Sequence, residues 1–353
     1  MHRLALQRRL QISTLREFSC FALGLGAGLL ACVALLAGAG VPTGELFNDL
    51  LREVFATGPG LAQTLTLAIP LVLAGLASAI AMRLKFWNIG VEGQLWLGAI
   101  GATAVALNGI GPEPLRLPLM LLTSALFGAL WIGVPLLLKL RLQVSELVVT
   151  LLLSNVAFLL MQHLLFGVWR DPASSFPMSS LIAPDLRLSQ LGFGNLHSGL
   201  WIVLVVALLL AVLLERSRAG LQATAIGFNP LSAKACGLPV TATVVGMVLL
   251  SGALAGLAGG LIISGSEYRL TQNIGFNMTF SGIVVAFVAR FKPLWVLLSA
   301  FALAGLYNIG DSLKVFYGLS DAIVVLIQGV VLMCLLIAQF FRDFRLDLQR
   351  EPG

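Results

Sequence analysis

Charge is scarce in this 353-residue chain: Asp, Glu, Lys and Arg make up 11% of it, against 58% hydrophobic residues. A soluble domain of that length needs far more polar surface to cover its core, which excludes an ordinary soluble fold. Cysteine is scarce too. Cys20, Cys32, Cys236 and Cys334 show no Cys-x-x-Cys spacing. Cys20 and Cys32 lie on one helix about 18 Å apart along its axis, too far to bridge. No disulfide framework and no metal site follow. The histidines, His2, His163 and His197, are equally dispersed. His163, beside Gln162 near the outer end of a span, reads as an interfacial polar tip rather than a proton relay. Enzyme signatures are missing as well: no H-E-x-x-H, no G-x-S-x-G and no G-x-x-x-x-G-K-[ST] occurs, and Asp311 and Asp321 fall in an expected outer loop. No catalytic residue is assigned, and a conduit fits better than an enzyme.

What is present is a mean hydropathy of +0.97 and repeated apolar runs of the length a bilayer of about 30 Å demands. Spans are expected at 18–38, 61–82, 93–107, 117–138, 145–167, 199–214, 241–264, 276–289, 294–309 and 322–341. The first reads as a retained helix, because it is long for a signal peptide and its flank lacks an Ala-x-Ala cleavage pattern. Alternate loops hold 16 of the 22 basic residues, among them Arg83, Lys85, Lys139, Arg216 and Lys292. The positive-inside rule then places both termini in the cytoplasm. The net charge of +6 is explained by orientation, so nucleic acid is not a partner but membrane lipid is. The domain reading is a cytoplasmic segment 1–17, a transmembrane domain 18–341 and a cytoplasmic tail 342–353.

Two spans are too short. Residues 93–107 and 276–289 reach only about 21–23 Å as helices. Each follows a stretch carrying Gly and Asn, FWNIGVEGQ (86–94) and LTQNIGFN (270–277). With the ten spans divided into two halves of five, the short ones are third in each half, and an odd number of crossings makes the halves inverted. Paired, interrupted segments in corresponding positions point to a midplane solute path. The fold expected is therefore an all-α polytopic membrane protein with broken or re-entrant segments near 86–107 and 273–289. A charged carboxylate in the bilayer is tolerated only facing a cavity or a partner. Asn88–Gln94 is read as an unwound stretch dipping into the membrane, with Asn88, Glu92 and Gln94 as donors and acceptors for a polar solute. Asn273 and Asn277 would face them, and Trp87 and Phe276 could stack on a base or sugar face. The alternative is that Glu92 pairs with a nearby basic residue such as Arg83 or Lys85.

The cytoplasmic stretch RSRAGLQATAIGFNPLSAKACGLPV (216–240) is much longer than the other internal cytoplasmic loops. Asn229 suits an N-cap, Pro230 the first helical position and Gly237 the C′ position. A helix of under two turns is marginal in water and gains most if another protein receives it. The outer segment 168–198 is the largest extracytoplasmic surface. In SGALAGLAGG (251–260), Gly252, Gly256 and Gly260 share a helix face that allows close packing, either within the chain or between subunits.

These motifs resemble a known family. The pattern of Gly220, Ala225, Gly227, Asn229, Pro230, Ala233, Gly237, Leu238 and Val240 is similar to the coupling loop of permease subunits in the branched-chain amino acid and monosaccharide group of ABC importers. NIGVEGQ and GFNMTFSGIVVAFVARFKP resemble the two signatures of its nucleoside and simple-sugar subgroup, although Thr224 stands where relatives usually carry Arg. The resemblance implies a permease subunit in a bacterial cytoplasmic membrane, importing a nucleoside or a simple sugar. It binds no cofactor itself; ATP and Mg belong to a partner ATPase, often with two nucleotide-binding halves in one chain. The other partners implied are a second, different permease chain and an extracytoplasmic solute-binding protein or lipoprotein, for which 168–198 is a candidate receiver, a lid over the pathway being the alternative reading of that segment. Gly227, Asn229, Pro230, Ala233, Lys234 and Gly237 would meet the ATPase. A self-sufficient secondary transporter is the remaining alternative, since it too uses inverted repeats.

The expected topology is open to labelling. On a background without the four native cysteines, single cysteines at Ser174 and Ser320 should react from outside, and those at Ser217 and Gln349 from the cytoplasm. Outside labelling at Ser217 would remove the ten-span, termini-inside arrangement.

Overall fold

The computed structural model describes residues 2–8, 13–38, 52–275 and 278–350. Among the described residues ten apolar helices occur where the hydropathy places them, making an all-α polytopic membrane protein. The first half holds α1 (Thr14–Gly38), α2 (Gly58–Arg83), α3 (Val91–Leu107), α4 (Glu113–Leu142) and α5 (Glu146–Phe166). The second opens with α6 (Gly199–Arg216), followed by two short helices in the next connection, α7 (Arg218–Phe228) and α8 (Pro230–Ala235). It continues with α9 (Val240–Ile262), α10 (Met278–Val288), α11 (Pro293–Tyr317) and α12 (Asp321–Asp343). Seven of the ten contain a stretch long and apolar enough to cross a bilayer, whereas α3, α10 and the apolar stretch of α1 (Ala22–Gly38) are shorter. At 17 and 11 residues α3 and α10 reach about 25 Å and about 16 Å. α11 runs eight residues past its expected end, so Asp311 lies in a helix, paired with Lys314 one turn later (3.1 Å), and not in a loop.

The chain forms two compact units. One comprises Met1–Thr57 with Leu306–Gly353. In it α1 packs on α12, where Gly28 lies against Val331, and Cys32, Leu36, Ile327 and Val331 share a core with Leu313. The terminal segments add an element outside the helical expectation: β1 (His2–Arg8) and β2 (Phe344–Arg350) pair antiparallel, His2 opposite Arg350. Both carry period-two sequences, HRLALQR and FRLDLQR, which suit strands and not helices. Their pairing brings residues 2–8 beside residues 344–350.

The other unit, Gly58–Gly305, carries the interrupted helices. Its contacts are reciprocal between the halves: α9 packs on α3, α10 packs on α2, and α2 packs on α9. Glycines make this possible. A Cβ on Gly98 of α3 would land on the Gly256 carbonyl of α9, and one on Gly282 of α10 would sit 2.8 Å from the Ala74 carbonyl of α2. The same face of α9 serves α4: Gly252 lies against Ile132 and the Gly128 carbonyl, and Gly256 and Gly260 lie against Ser124. The Gly252–Gly256–Gly260 stripe is therefore buried inside the chain and is not a subunit surface. With no hydrophobic drive between helices in lipid, such close backbone approach supplies the dispersion energy of assembly.

Gly98→Ala should lower the apparent melting temperature of the detergent-solubilised protein, with an overpacking cost of about 1–3 kcal/mol. Gly246→Ala on α9, where a Cβ would meet nothing within 4 Å, should be neutral or slightly stabilising through helix propensity. Equal behaviour of the two variants would contradict this packing.

Candidate functional site

The first interruption is built by the end of α2. The Phe86 N–H donates to the Ala81 carbonyl (3.0 Å) and the Lys85 N–H to that of Met82 (2.9 Å), a Schellman turn with Lys85 left-handed at φ 56°. Residues 86–90 leave the helix and α3 resumes at Val91. The break is earlier and shorter than the expected 88–94. The Gln94 N–H already donates to the Gly90 carbonyl (3.1 Å), so Glu92 and Gln94 sit on the first turn of α3.

Non-helical backbone within a membrane is tolerated only where its polar groups find partners, and each N–H across this break has one. Trp87 donates to Glu146 Oε1 (3.4 Å) and Ile89 to Thr150 Oγ1 (3.3 Å), both on α5. Asn88 donates to the Phe86 carbonyl (3.1 Å), and Gly90 to Asn88 Oδ1 (3.1 Å). Lys139 of α4 forms an ion pair with Glu146 and lies over the buried Phe86 ring, 5.1 Å from its centroid. Gly90 and Gly93 abut Thr150 and Ser154 of α5, which sets Glu92 roughly 10 Å along α5 from its start.

Asn88 and Gln94 turn toward each other. Gln94 Nε2 donates to Asn88 Oδ1 (2.7 Å), while Asn88 Nδ2 donates to Gln94 Oε1 (3.0 Å) and to Ser251 Oγ of α9 (3.2 Å). Ser251 in turn donates to the Ala77 carbonyl of α2 (2.7 Å). All three side chains are buried, so this network fastens the break to both neighbouring helices.

Glu92 meets the second half. Its backbone N–H donates to Thr279 Oγ1 (3.0 Å), and the Thr279 N–H donates to Glu92 Oε1 (3.2 Å). Both residues lie on the first turns of their helices, α3 and α10, where N–H groups have no intrahelical acceptor. Each such end also carries about half a positive charge. The arrangement works as a capping box whose two members come from different helices. One carboxylate offsets two helix dipoles at the point where the inverted halves meet. Arg83 and Lys85, the basic residues considered as partners for Glu92, instead reach carbonyls of α6 and α7.

The second interruption follows α9, which passes through a π-helical turn, Ile263–Glu267, and a left-handed Tyr268 (φ 56°). Trp96 Nε1 of α3 donates to the Ile274 carbonyl (2.7 Å), and Gly275, at φ 64°, packs on Leu95. Asn273 is exposed beside them, while Phe276 and Asn277 lie outside the described residues. Trp87 is 44% exposed, its ring 6.5 Å from that of Phe287 at the far end of α10. Buried hydroxyls of Ser78 (α2) and Thr103 (α3) have no partner among the described residues.

The outer segment 168–198 is strapped across this second connection. Ser179 and Ile182 donate to the Leu270 and Tyr268 carbonyls (3.0 and 2.9 Å), Leu188 donates to that of Ser264 (2.8 Å), and the Arg187 guanidinium covers the Tyr268 ring at 4.6 Å. Phe176, Leu181 and Phe193 face outward. His197, just ahead of α6, is buried against Gly265, and its Nδ1 accepts from the Gly199 N–H (3.2 Å). Burial pushes its pKa down to about 4.

On the cytoplasmic loop, Asn229 Oδ1 caps α8 by accepting from Leu231 and Ser232 (3.0 and 3.2 Å), Pro230 takes the first helical position and Gly237 is left-handed at φ 77°. Lys234 is exposed, Ala233 is turned inward, and a Cβ on Gly227 would land on the Arg83 carbonyl. Phe228 and Leu231 are each 80% exposed and flank Asn229–Pro230. Their signal in the sequence is a large apolar side chain on either side of the Asn-Pro pair. The structure thus joins Asn88 with Gln94, and Glu92 with a residue the sequence reading passed over. Thr279 is 187 positions from Glu92, and no local pattern marks it.

The sequence matches the family described as branched-chain amino acid transport system / permease component over residues 60–336. It is 32% identical to the glucose ABC transporter permease protein TsgB13 of Haloferax volcanii, across 92% of this chain and 87% of that one. It is 31% identical to the guanosine ABC transporter permease protein NupP of Bacillus subtilis, across 88% and 89% of the two chains. Among solved structures, one described as an inward-facing, metal-chelate type ABC transporter superposes with a TM-score of 0.50 at 17% identity, covering 93% of this chain and 100% of that one, a likeness of fold alone.

The depressed pKa of His197 has a signed consequence. Below the unfolded value of 6.5, an unfolded outer segment takes up a proton that the folded one refuses until about pH 4. Stability is therefore full above pH 6.5 and falls as the pH drops toward 4, by about 3 kcal/mol for this group. His197→Asn keeps an acceptor for the Gly199 N–H but does not titrate, so it should flatten that part of the melting-temperature profile between pH 6.5 and 4. An unchanged slope would assign the dependence to other groups.

Proposed function

We propose that this chain, which belongs to the branched-chain amino acid transport system / permease component family, passes a small uncharged polar solute along the junction of α3 and α10. The chain is an ABC permease of a sugar and nucleoside import family, a multi-pass membrane subunit that works with an ATPase and other transporter components. Within that class, the solute read here is a nucleoside first and a simple sugar second. Both termini are placed in the cytoplasm of a bacterial cell.

The observation that carries the reading is the reciprocal Glu92–Thr279 contact. Two helix N-termini that meet inside a membrane would form an anion site. Here Glu92 already supplies the negative charge, so a free carboxylate or phosphate gains little from these helix ends. A solute rich in hydroxyl and N–H donors fits better, because the carboxylate can accept from it while the two helices separate. Asn88 and Gln94 can exchange their mutual bonds for bonds to the solute at little net cost. Trp87 and Phe287 offer flat faces, and Asn273, Phe276 and Asn277 belong to the opposing half. Inverted halves joined at one contact suit alternating access, in which each half rocks about a fixed midplane site.

No step in this conduit is chemical. ATP and Mg are assigned to a partner ATPase received by α7–α8, with Gly227, Asn229, Pro230, Ala233, Lys234 and Gly237 shaping the loop. Asn229 and Gly237 bound α8, Pro230 opens it, Ala233 anchors it from inside, and Phe228, Leu231 and Lys234 face the ATPase. A second permease of different sequence completes the pathway. A solute-binding protein or lipoprotein lands on the outward Phe176, Leu181 and Phe193 of segment 168–198. A self-sufficient carrier shares the inverted repeats, but nothing beyond them favours it.

Reconstitution of the chain with its ATPase, second permease and binding protein should give uptake that requires ATP. Transport by this chain alone in liposomes would overturn the reading. Loss of a hydrogen bond to a charged group corresponds to about 1.5–3 kcal/mol, or roughly 10- to 100-fold. Glu92→Ala should therefore lose uptake by at least that lower factor in an assembled complex, and Glu92→Gln, which keeps the acceptor oxygen, only a few-fold.

A further inference from the structure

The residue that closes α2 is chemically out of place. A C′ position at positive φ normally goes to glycine, because any Cβ is strained there. Lys85 occupies it at φ 56°. Glycine would end the helix with less strain, so the lysine side chain is retained for something other than helix termination. Its ammonium reaches the carbonyl of Phe228 (3.4 Å), the last residue of α7. Two positions earlier, Arg83 Nη1 donates to the Leu214 carbonyl (3.0 Å) in the last turn of α6. Arg83 meets the same loop through its backbone as well, since its carbonyl leaves no room for a Cβ on Gly227 of α7.

Three contacts, two from Arg83 and one from Lys85, thus fasten the end of α2 to the C-terminal ends of α6 and α7. These ends carry unpaired carbonyls and partial negative charge, which guanidinium and ammonium groups complement. The Gly227 contact is backbone on backbone and has no side chain to absorb a displacement. On the other side of Lys85, residues 86–90 lead directly to Val91 and to the Glu92–Thr279 contact. A shift of α7–α8 therefore has a short covalent and hydrogen-bonded route to the point where the inverted halves meet.

We infer that Arg83 and Lys85 are positioning residues that clamp the ATPase-facing helices α7–α8 to the unwound start of α3, so that movement of the loop is delivered to the α3–α10 junction. This rests on the reading of α7–α8 as the ATPase-docking element. The test uses the complete transporter in proteoliposomes and records solute taken up per ATP hydrolysed. Lys85→Gly removes the clamp and relieves the backbone at the same time. It should keep or raise the melting temperature and hold ATP hydrolysis within twofold of wild type, while uptake per ATP falls at least fivefold. Lys85→Arg should restore the ratio, and Arg83→Gln should lower it in the same direction. An unchanged ratio in Lys85→Gly overturns the inference, as does a parallel fall of melting temperature, hydrolysis and uptake, which marks a structural cap only. If the wild-type complex itself takes up solute without hydrolysing ATP, the assignment to an importer fails instead.

Discussion

A backbone that leaves the helix inside a bilayer has no water to satisfy its N–H and C=O groups, and each unpaired group costs several kcal/mol. Much of the Gly58–Gly305 unit can be understood as the answer to that constraint. α3 and α10 both start inside the packed unit, so both present first-turn N–H groups that need acceptors. Thr150 and Glu146 on α5 and the side chain of Asn88 supply them at the first break. Glu92 and Thr279 supply them to each other across the two halves. A carboxylate that would be expensive alone in lipid is held here by two positive helix ends.

Satisfying those groups demands close approach, and close approach demands the absence of side chains. Gly98, Gly128, Gly252 and Gly256 let α3, α4 and α9 touch through their backbones. This brings Ser251 close enough to reach both Asn88 and Ala77. The glycine stripes and the buried polar network are therefore one device. Two basic residues beside the first break likewise have two uses. Arg83 and Lys85 contribute to the charge bias that orients the chain, and in the fold they also complete the carbonyl ends of α6 and α7. The segment 168–198 holds the second connection by backbone hydrogen bonds to Ser264, Tyr268 and Leu270.

The positions of the ten spans, the shortness of the third helix in each half and the capped helix at Asn229–Pro230 were legible in the sequence. Each depends on hydropathy over a window of about 20 residues or on the chemistry of four or five neighbours. Asn88, Glu92 and Gln94 could be singled out as polar intrusions in an apolar run for the same reason. Their partners could not. Thr279 and Ser251 lie 187 and 163 positions from the residues they bond, and a threonine or serine in an apolar helix looks the same whether it faces a neighbour's backbone or a distant carboxylate. Only tertiary structure decided that Asn88 and Gln94 pair with each other, that Glu92 bonds Thr279 of the opposite half, and that the Gly252–Gly256–Gly260 face is internal. Those choices come from which helices approach within about 3 Å, a property of the packed chain and not of any local stretch of it.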